Sequence, residues 1–147
     1  MSRNTDKADA IFAGARALLH DHGLTSLAEV GLPGGLRADI VAWDHKGTLH
    51  IIEVKSGIED FRSDSKWQGY LDWCDQYHFA VAPDFPVDIL PADAGLILAD
   101  AHGGDWLRIG PAEPLAAARR KKMLILLAQK SAGRLFSLER ALTGVEG

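Results

Sequence analysis

The sequence is poor in cysteine and has no long apolar run. Cys74 is the only cysteine among 147 residues, so no internal disulfide can form and a reducing, cytoplasmic setting is expected. The longest purely apolar runs, such as 94–99 and 123–128, are far shorter than the roughly 18 residues of a membrane-spanning helix. The N-terminal stretch mixes charges with apolar residues, unlike a secretory signal. No membrane partner is therefore predicted.

Positive charge is also in short supply. The chain has 16 Lys and Arg against 20 Asp and Glu, a formal net charge of −4. This argues against a protein that coats DNA through bulk positive charge, because such binding neutralises many phosphates. It does not exclude local contacts with DNA, since basic residues cluster at 119–122 and occur more sparsely at Arg37, Lys55, Arg62 and Lys66. The 119–122 run is interpreted first as a solvated helix face.

Several common catalytic motifs are missing. The sequence has no glycine-rich loop followed by Lys and Ser or Thr, and no Gly-x-Ser-x-Gly, so nucleotide hydrolysis and serine-hydrolase chemistry lack support. His20 and His22 come nearest to a metal pair, but no third ligand follows at a zinc-site spacing. No zinc site is predicted.

The composition is that of an ordinary globular protein. The hydrophobic fraction is 47% and the charged fraction 24%, which excludes a largely disordered chain. A length of 147 residues suits one compact domain with a real core. We predict a single domain over 1–147, with a core at about 9–110 and a helical C-terminal extension at 114–143.

Hydrophobic periodicity predicts the order helix, three strands, helix, then further strands and helices. This order is typical of a mixed α/β or α+β domain. In the second helix, a buried stripe is predicted at Trp67, Tyr70, Leu71 and Cys74. Gly133 is expected to separate the last two helices. The predicted helices are 9–20, 60–76, 114 to about 130, and 135–142, and the predicted strands are 25–32, 36–44, 48–55, 77–82, 94–99 and 106–109.

Charged residues interrupt two otherwise apolar strands that follow each other closely. Strand alternation puts Glu53 and Lys55 on one face. The hairpin register decides whether Asp39 joins them. If the loop is His45-Lys46-Gly47 with Gly47 in the left-handed conformation, Asp39 faces Glu53, with their Cβ atoms about 5 Å apart. A loop of two or four residues would remove this inference.

Two carboxylates at that distance predict a cation site. They repel each other, so one should take up a proton unless a cation is present. Carboxylate oxygens, with a nearby backbone carbonyl such as that of Val54, suit Mg²⁺ or Mn²⁺, which also accept phosphate oxygens. Such a metal activates a bound water, and Lys55 would orient that water or stabilise charge on the phosphate. Asp39, Glu53 and Lys55 are therefore the predicted catalytic residues.

The spacing of Asp39 and then Glu53-Val54-Lys55 resembles that of the PD-(D/E)xK nuclease superfamily. The resemblance implies a restriction-endonuclease-like core with the order α-β-β-β-α-β, extended here by C-terminal helices. Ala38 replaces the proline of the motif, and this departure lowers the specificity of the match. The alternative is that Glu53 and Lys55 form only an ion pair at the rim of the sheet.

Residues that flank the motif point to a narrower family. They are Glu29, 34–39, 52–56, 60–64, 66–67, Tyr70, 74–75 and 79–81. Together they resemble the bacterial MmcB-type DNA repair family over most of residues 25–100. The resemblance implies a small, stand-alone, nuclease-like factor of bacterial DNA repair, with DNA and other repair proteins as partners.

Other polar residues have candidate supporting roles. Glu29, on the first predicted strand, is a third candidate metal ligand, because superfamily members often add an acidic residue from an early element; the alternative is a solvent-facing strand residue. Arg37, Arg62 and Lys66 are candidate contacts to DNA phosphates, and a solvated surface explains them equally well.

Residues of the second predicted helix have structural alternatives. Asp60 and Asp64 are placed at its start, where acidic side chains cap free N–H groups. Trp67, Tyr70 and Trp73 could form a platform for stacking bases, but Trp67 and Tyr70 are assigned to the core instead.

Three hypotheses for function remain open. The first is a Mg²⁺- or Mn²⁺-dependent enzyme that hydrolyses DNA phosphodiester bonds in repair. The second is a module on the same fold that binds a DNA end, a junction or a repair protein without cutting. The third is a structural homodimer formed through the C-terminal amphipathic helix.

Overall fold

The computed structural model describes residues 3–64 and 67–144. Six strands form one mixed sheet in the order β1-β2-β3-β4-β5-β6. β1, β2 and β3 are antiparallel neighbours, β3, β4 and β5 are parallel, and β6 is antiparallel to β5. The predicted mixed α+β class is confirmed. The strands are β1 (Thr25–Gly31), β2 (Arg37–Trp43), β3 (Leu49–Val54), β4 (Gln76–Val81), β5 (Gly95–Asp100) and β6 (Gly103–Arg108).

Helices cover both faces of the sheet. Helix α1 (Arg3–Asp21) covers one face through Ile11, Ala15 and Leu18, which recur at the spacing of one helical face. A 3₁₀ helix (Trp67–Trp73) and helix α3 (Ala117–Thr143) cover the other face. Parallel strands need such coverage on both sides, and β3, β4 and β5 are accordingly almost wholly buried.

The hairpin between β2 and β3 has the predicted loop of three residues. The Asp44 N–H donates to the Thr48 carbonyl at 3.4 Å, and Gly47 has a φ of +81°. The Asp44 carboxylate accepts the N–H groups of Lys46 and Thr48 at 2.9 and 3.0 Å, which closes the turn. The loop sets the register in which Ile40 faces Ile52.

The predicted helix over 60–76 is wrong. Helix α2 spans only Ile58–Ser63, and the chain then forms the separate 3₁₀ helix. Three residues per turn align Trp67 and Tyr70, and both side chains are buried against β4. Leu71 was predicted to be buried but is 43% exposed, because the tighter turn carries it to the solvent side.

The predicted break at Gly133 is also wrong, because α3 is continuous from Ala117 to Thr143. A helical glycine costs only about 1 kcal/mol relative to alanine, and the helix ends instead at Gly144, with a φ of +71°. The second half of α3 exposes Leu135, Phe136 and Leu138. Although α3 is long, no helix of the described part of the chain is both long and apolar enough to cross a membrane.

A smaller correction concerns β6. It starts at Gly103, earlier than the predicted 106–109, because the chain turns already at Ala101 and His102.

An ion pair between the partly buried Arg120 and the buried Asp75 holds the first turn of α3 against the sheet. The Arg120 guanidinium donates to both oxygens of Asp75 at 2.6 and 2.7 Å. The same carboxylate accepts the N–H groups of Leu49 and Leu115 at 2.7 and 2.8 Å. Interpreting 119–122 as a solvated face is therefore wrong for Arg120, although Lys121 and its neighbour Lys122 are exposed.

Candidate metal and phosphodiester site

The two carboxylates predicted to meet do so where β2 and β3 separate. Regular pairing of the two strands reaches Ile40 and Ile52, and the next position places Asp39 opposite Glu53. There the side chains bridge the strands: the Val54 N–H donates to Asp39 Oδ2 at 2.9 Å, and the Asp39 N–H donates to Glu53 Oε1 at 3.4 Å. The predicted register is confirmed, and it brings both carboxylates to one point at the sheet edge.

Glu53 is almost completely buried, with 4% of its surface exposed. Burial raises the pKa of its carboxyl to about 9, and the neighbouring Asp39 adds to the rise. The ionised form is disfavoured because it loses hydration and meets a second carboxylate. At neutral pH and without a cation, Glu53 therefore carries a proton.

Lys55 points into the same region from the end of β3. Its backbone N–H donates to the Ala80 carbonyl at 3.0 Å, which fixes this end of β3 beside β4. Its ammonium group donates to Asp64 Oδ2 at 2.8 Å, and the Lys55 side chain is only 8% exposed. The alternative of a rim ion pair between Glu53 and Lys55 is not what the geometry shows, because Lys55 is buried and pairs with Asp64.

An open cleft of about 510 Å³ surrounds these side chains. Residues from α1, β1, β2, β3, α2 and the 3₁₀ helix line it, so the site exists only in the folded chain. Acidic residues exceed basic ones along the cleft, which favours a bound cation. The charged lining residues are Asp9, Glu29, Asp39, Glu53, Asp60 and Asp64 on the acidic side, and Arg37 and Lys55 on the basic side.

Glu29 lines the cleft from β1 in an unusual backbone conformation. Its φ is +50°, which is uncommon for a residue other than glycine, and strained backbone of this kind tends to cluster at functional sites. Arg134 of α3 secures this strand by donating to the carbonyls of Ala28 and Glu29 at 2.5 and 2.7 Å. Within residues 3–64 and 67–144, no three His, Cys, Asp or Glu side chains converge on one metal position, so a cation here would need other oxygen ligands as well.

The three basic residues predicted to contact DNA differ in position. Arg37 is exposed and lines the cleft. Arg62 is exposed on α2 and is not one of the described residues that line the cleft. Lys66 lies outside the described residues. Of the two candidates among the described residues, the fold therefore brings Arg37 to the cleft.

The two aspartates assigned to the start of the second helix have separate roles. Asp60 lies in the first turn of α2, but it accepts the Ser56 N–H at 3.0 Å and the Ser56 hydroxyl at 3.3 Å. Ser56 precedes the N-cap residue Gly57, so Asp60 fixes the chain ahead of the helix and does not cap the N–H groups of the helix itself. Asp64 follows the last residue of α2 as its C-cap. Its predicted place at the helix start was wrong, because α2 begins earlier and ends sooner than the apolar pattern indicated.

Tyr70 belongs both to the core and to the cleft. Its ring stacks on Tyr77 with centroids 5.9 Å apart, and Trp67 stacks on the same ring at 5.3 Å. The predicted core assignment is confirmed for both. The Tyr70 hydroxyl, however, donates to the Arg37 carbonyl at 2.9 Å, and the residue lines the cleft. Burial and the nearby Glu53 raise the pKa of Tyr70, so the phenol stays protonated as a hydrogen-bond donor.

Sequence reasoning missed this second role of Tyr70 and the partner of Lys55. A tyrosine with a polar tip often joins a core to a wet site, and that was the only available signal. Asp64 gave no signal, since nothing local in the sequence links it to Lys55.

A solved structure has the same mixed α+β fold as this chain. A Silicibacter pomeroyi protein, SPO1766, described as a protein of unknown function, matches with a TM-score of 0.86 and 40% sequence identity. The match covers 90% of this chain and 91% of that one. Among curated proteins, none matches the chain.

The family comparison covers nearly the whole chain. The family described as "DNA repair protein MmcB-like" matches residues 1–142, a span that includes all six strands, α3 up to its penultimate residue, and all the residues that line the cleft. The chain therefore belongs to the MmcB-like family of DNA repair proteins.

Proposed function

We propose that this protein hydrolyses phosphodiester bonds of DNA during repair, at the cleft formed by Asp39, Glu53 and Lys55, with Mg²⁺ or Mn²⁺ as cofactor. The observation that carries the proposal is the pairing of a buried Glu53, whose pKa is raised to about 9, with Asp39. A protein gains nothing in stability from this arrangement, so a ligand that relieves it is the simplest explanation. Family membership supports the DNA repair role.

The donor atoms fit a hard divalent cation. Asp39 and Glu53 offer carboxylate oxygens beside open space, and Mg²⁺ is commonly held by one or two carboxylates together with waters and substrate phosphates. The absence of a converging third side chain among the described residues agrees with such a partial ligand set. Glu29 would then act through a water.

The proposal gives a task to the residues that would meet the cation or the DNA. The Val54 N–H orients the Asp39 carboxylate, and the end of β3 positions Lys55. When bound, the cation would activate water and neutralise charge on the phosphate. The Lys55 ammonium stabilises negative charge that develops on the phosphate oxygens. Arg37 at the cleft and Arg62 on α2 would contact phosphates of the flanking DNA.

The second candidate is a module that binds DNA or a repair protein without cutting. The observation that favours it is the ion pair of Lys55 with Asp64, because the lysine of the E-x-K motif is then already paired with a carboxylate of the protein. This alternative uses the same cleft and the same fold, but it predicts binding without turnover.

The test is incubation of the purified protein with linear, nicked, flapped and branched DNA in Mg²⁺ and in Mn²⁺. Glu53→Gln and Lys55→Ala are compared with the control Glu113→Gln, which removes an exposed carboxylate. The Glu113 N–H donates to the carbonyl of Asp75, just before β4 begins, so Glu113 lies at the end of the strands opposite to the cleft. We expect cleavage by wild type and by Glu113→Gln only. Equal cleavage by all forms would remove the catalytic assignment. Structure-selective binding without cleavage by any form would establish the second candidate instead.

A further inference from the structure

Lys55, the lysine of the E-x-K motif, forms an ion pair with Asp64, which lies outside that motif. Lys55 Nζ lies 2.8 Å from Asp64 Oδ2, and the two side chains are 8% and 20% exposed. Both residues line the candidate cleft. The Lys55 ammonium of the proposed site therefore already has an anionic partner, Asp64, in the folded chain.

The backbone holds Asp64 in this place. As the C-cap of α2, Asp64 donates its N–H to the Phe61 carbonyl at 3.1 Å. The Phe61 ring packs edge-on against Phe79 of β4 at 5.6 Å, which anchors α2 to the sheet. Because the short aspartate side chain extends from a fixed backbone, little conformational entropy is lost when the pair forms.

In this ion pair, Asp64 already binds the Lys55 ammonium to which a phosphate of the substrate would have to bind. A mostly buried ammonium requires a partner of opposite charge, since an unpaired one is strongly unfavourable. A phosphate oxygen would make the same short, charge-assisted hydrogen bond to Lys55 Nζ that Asp64 Oδ2 makes. The carboxylate and the phosphate therefore compete for one cation in a confined cleft.

We propose that Asp64 is the carboxylate that a substrate phosphate must displace from Lys55, and that it thereby sets the affinity of the cleft for phosphodiesters. The inference rests on the proposed function, because it takes Lys55 as the cation that meets phosphate. Asp64 is then a specificity-determining residue. Ligands without an oxyanion leave the pair intact, and ligands with one must break it.

The test measures binding rather than turnover. Inorganic phosphate is titrated by calorimetry and a labelled DNA oligonucleotide by fluorescence anisotropy, each in EDTA and again in Mg²⁺. For Asp64→Asn we expect both to bind about threefold to tenfold more tightly, as for one competing hydrogen bond removed. The slope of log K for DNA against log salt should steepen by about 0.7 to 0.9, as for one added phosphate contact.

The matched control is Asp60→Asn. Asp60 lines the same cleft but bonds to Ser56, so its removal changes the charge of the cleft without releasing Lys55. The gain of Asp64→Asn should exceed that of Asp60→Asn and should vanish in the Lys55→Met background. Asp64→Glu, which keeps the charge, should bind as wild type does. Thermal melts verify folding, and Asp64→Ser replaces Asp64→Asn if the latter does not fold.

The outcomes separate this inference from the proposed hydrolysis. Equal gains in Asp64→Asn and Asp60→Asn, a gain that persists without Lys55, or no gain would each overturn it. Weaker binding by Asp64→Asn would also overturn it and would make Asp64 a positioning residue. DNA that stays intact while Asp64→Asn binds phosphate more tightly would remove the proposed hydrolysis alone.

Discussion

Replacing Glu53 by glutamine should stabilise the cation-free protein, and the gain should grow with pH. In the folded chain Glu53 keeps its proton up to about pH 9, whereas in the unfolded chain it ionises near its usual pKa of 4.5. Between these values the folded state binds more protons than the unfolded state, so stability falls as pH rises. Glutamine has nearly the same shape and does not titrate, so Glu53→Gln escapes this loss.

The size of the effect follows from the same two pKa values. Each pH unit above 4.5 destabilises the wild type by about 1.4 kcal/mol until the folded pKa is reached. At pH 7 the loss is about 3 kcal/mol, and at pH 5 it is below about 1 kcal/mol. For a chain of this length, 3 kcal/mol corresponds to a rise in Tm of about 6 to 12 °C in Glu53→Gln at pH 7.

Urea denaturation at pH 5, 7 and 8.5, in EDTA, measures the difference between wild type and Glu53→Gln. Glu113→Gln, which removes an exposed carboxylate, is the control and should follow wild type. Parallel stability curves for wild type and Glu53→Gln across this range would refute the assignment of a protonated, buried Glu53.

The same samples test the cation site. Millimolar Mg²⁺ or Mn²⁺ should raise the Tm of wild type by binding only the folded state. The rise should be larger at pH 8.5 than at pH 6, because binding must displace the proton of Glu53. Glu53→Gln should gain much less. An equal rise in both proteins would place the cation elsewhere.

Three further predictions concern the framework around the site. Asp75→Ala should lower the free energy of unfolding measured in urea by about 3 to 5 kcal/mol, because the partly buried Arg120 loses its carboxylate partner and the N–H groups of Leu49 and Leu115 lose their acceptor. Wild type should also lose this stability as pH falls through the lowered pKa of Asp75, and a stability that does not change at acid pH would contradict the assignment. Gly133→Ala should stabilise α3 by up to about 1 kcal/mol, since a Cβ there meets open space, whereas destabilisation would indicate a break in the helix. Gly47→Ala should cost about 1 to 2 kcal/mol by forcing a side chain into the left-handed region, and an unchanged midpoint in urea would argue against the loop of three residues.

Local chemistry explains why the hairpin and the meeting of the carboxylates were predictable. Gly47 and its two loop neighbours determine which residue of β2 pairs with which residue of β3, and strand alternation determines the faces. Both rules act over a few residues. The apolar strands β4 and β5 were predictable for the same reason, since short runs bounded by prolines and turn residues are typical of buried strands.

The second helix shows where local rules fail. The spacing of Trp67, Tyr70 and Leu71 suits an α-helix, yet the aromatic side chains are needed against Tyr77 and Phe79, and a 3₁₀ helix delivers them there. That choice depends on the position of β4, which residues 58–73 do not encode. The uninterrupted α3 likewise reflects a small propensity penalty at Gly133 that the rest of a long helix outweighs.

The sequence by itself determined that Asp39 and Glu53 share one end of a hairpin, with Lys55 beside them, because turn type and strand period are local properties. Only the tertiary structure decided their chemical state. Burial beneath the surrounding elements protonates Glu53, and the early end of α2 brings Asp64 to Lys55. Charge state and pairing depend on solvent exclusion and on contacts between distant segments, so they exist only once the cleft has formed.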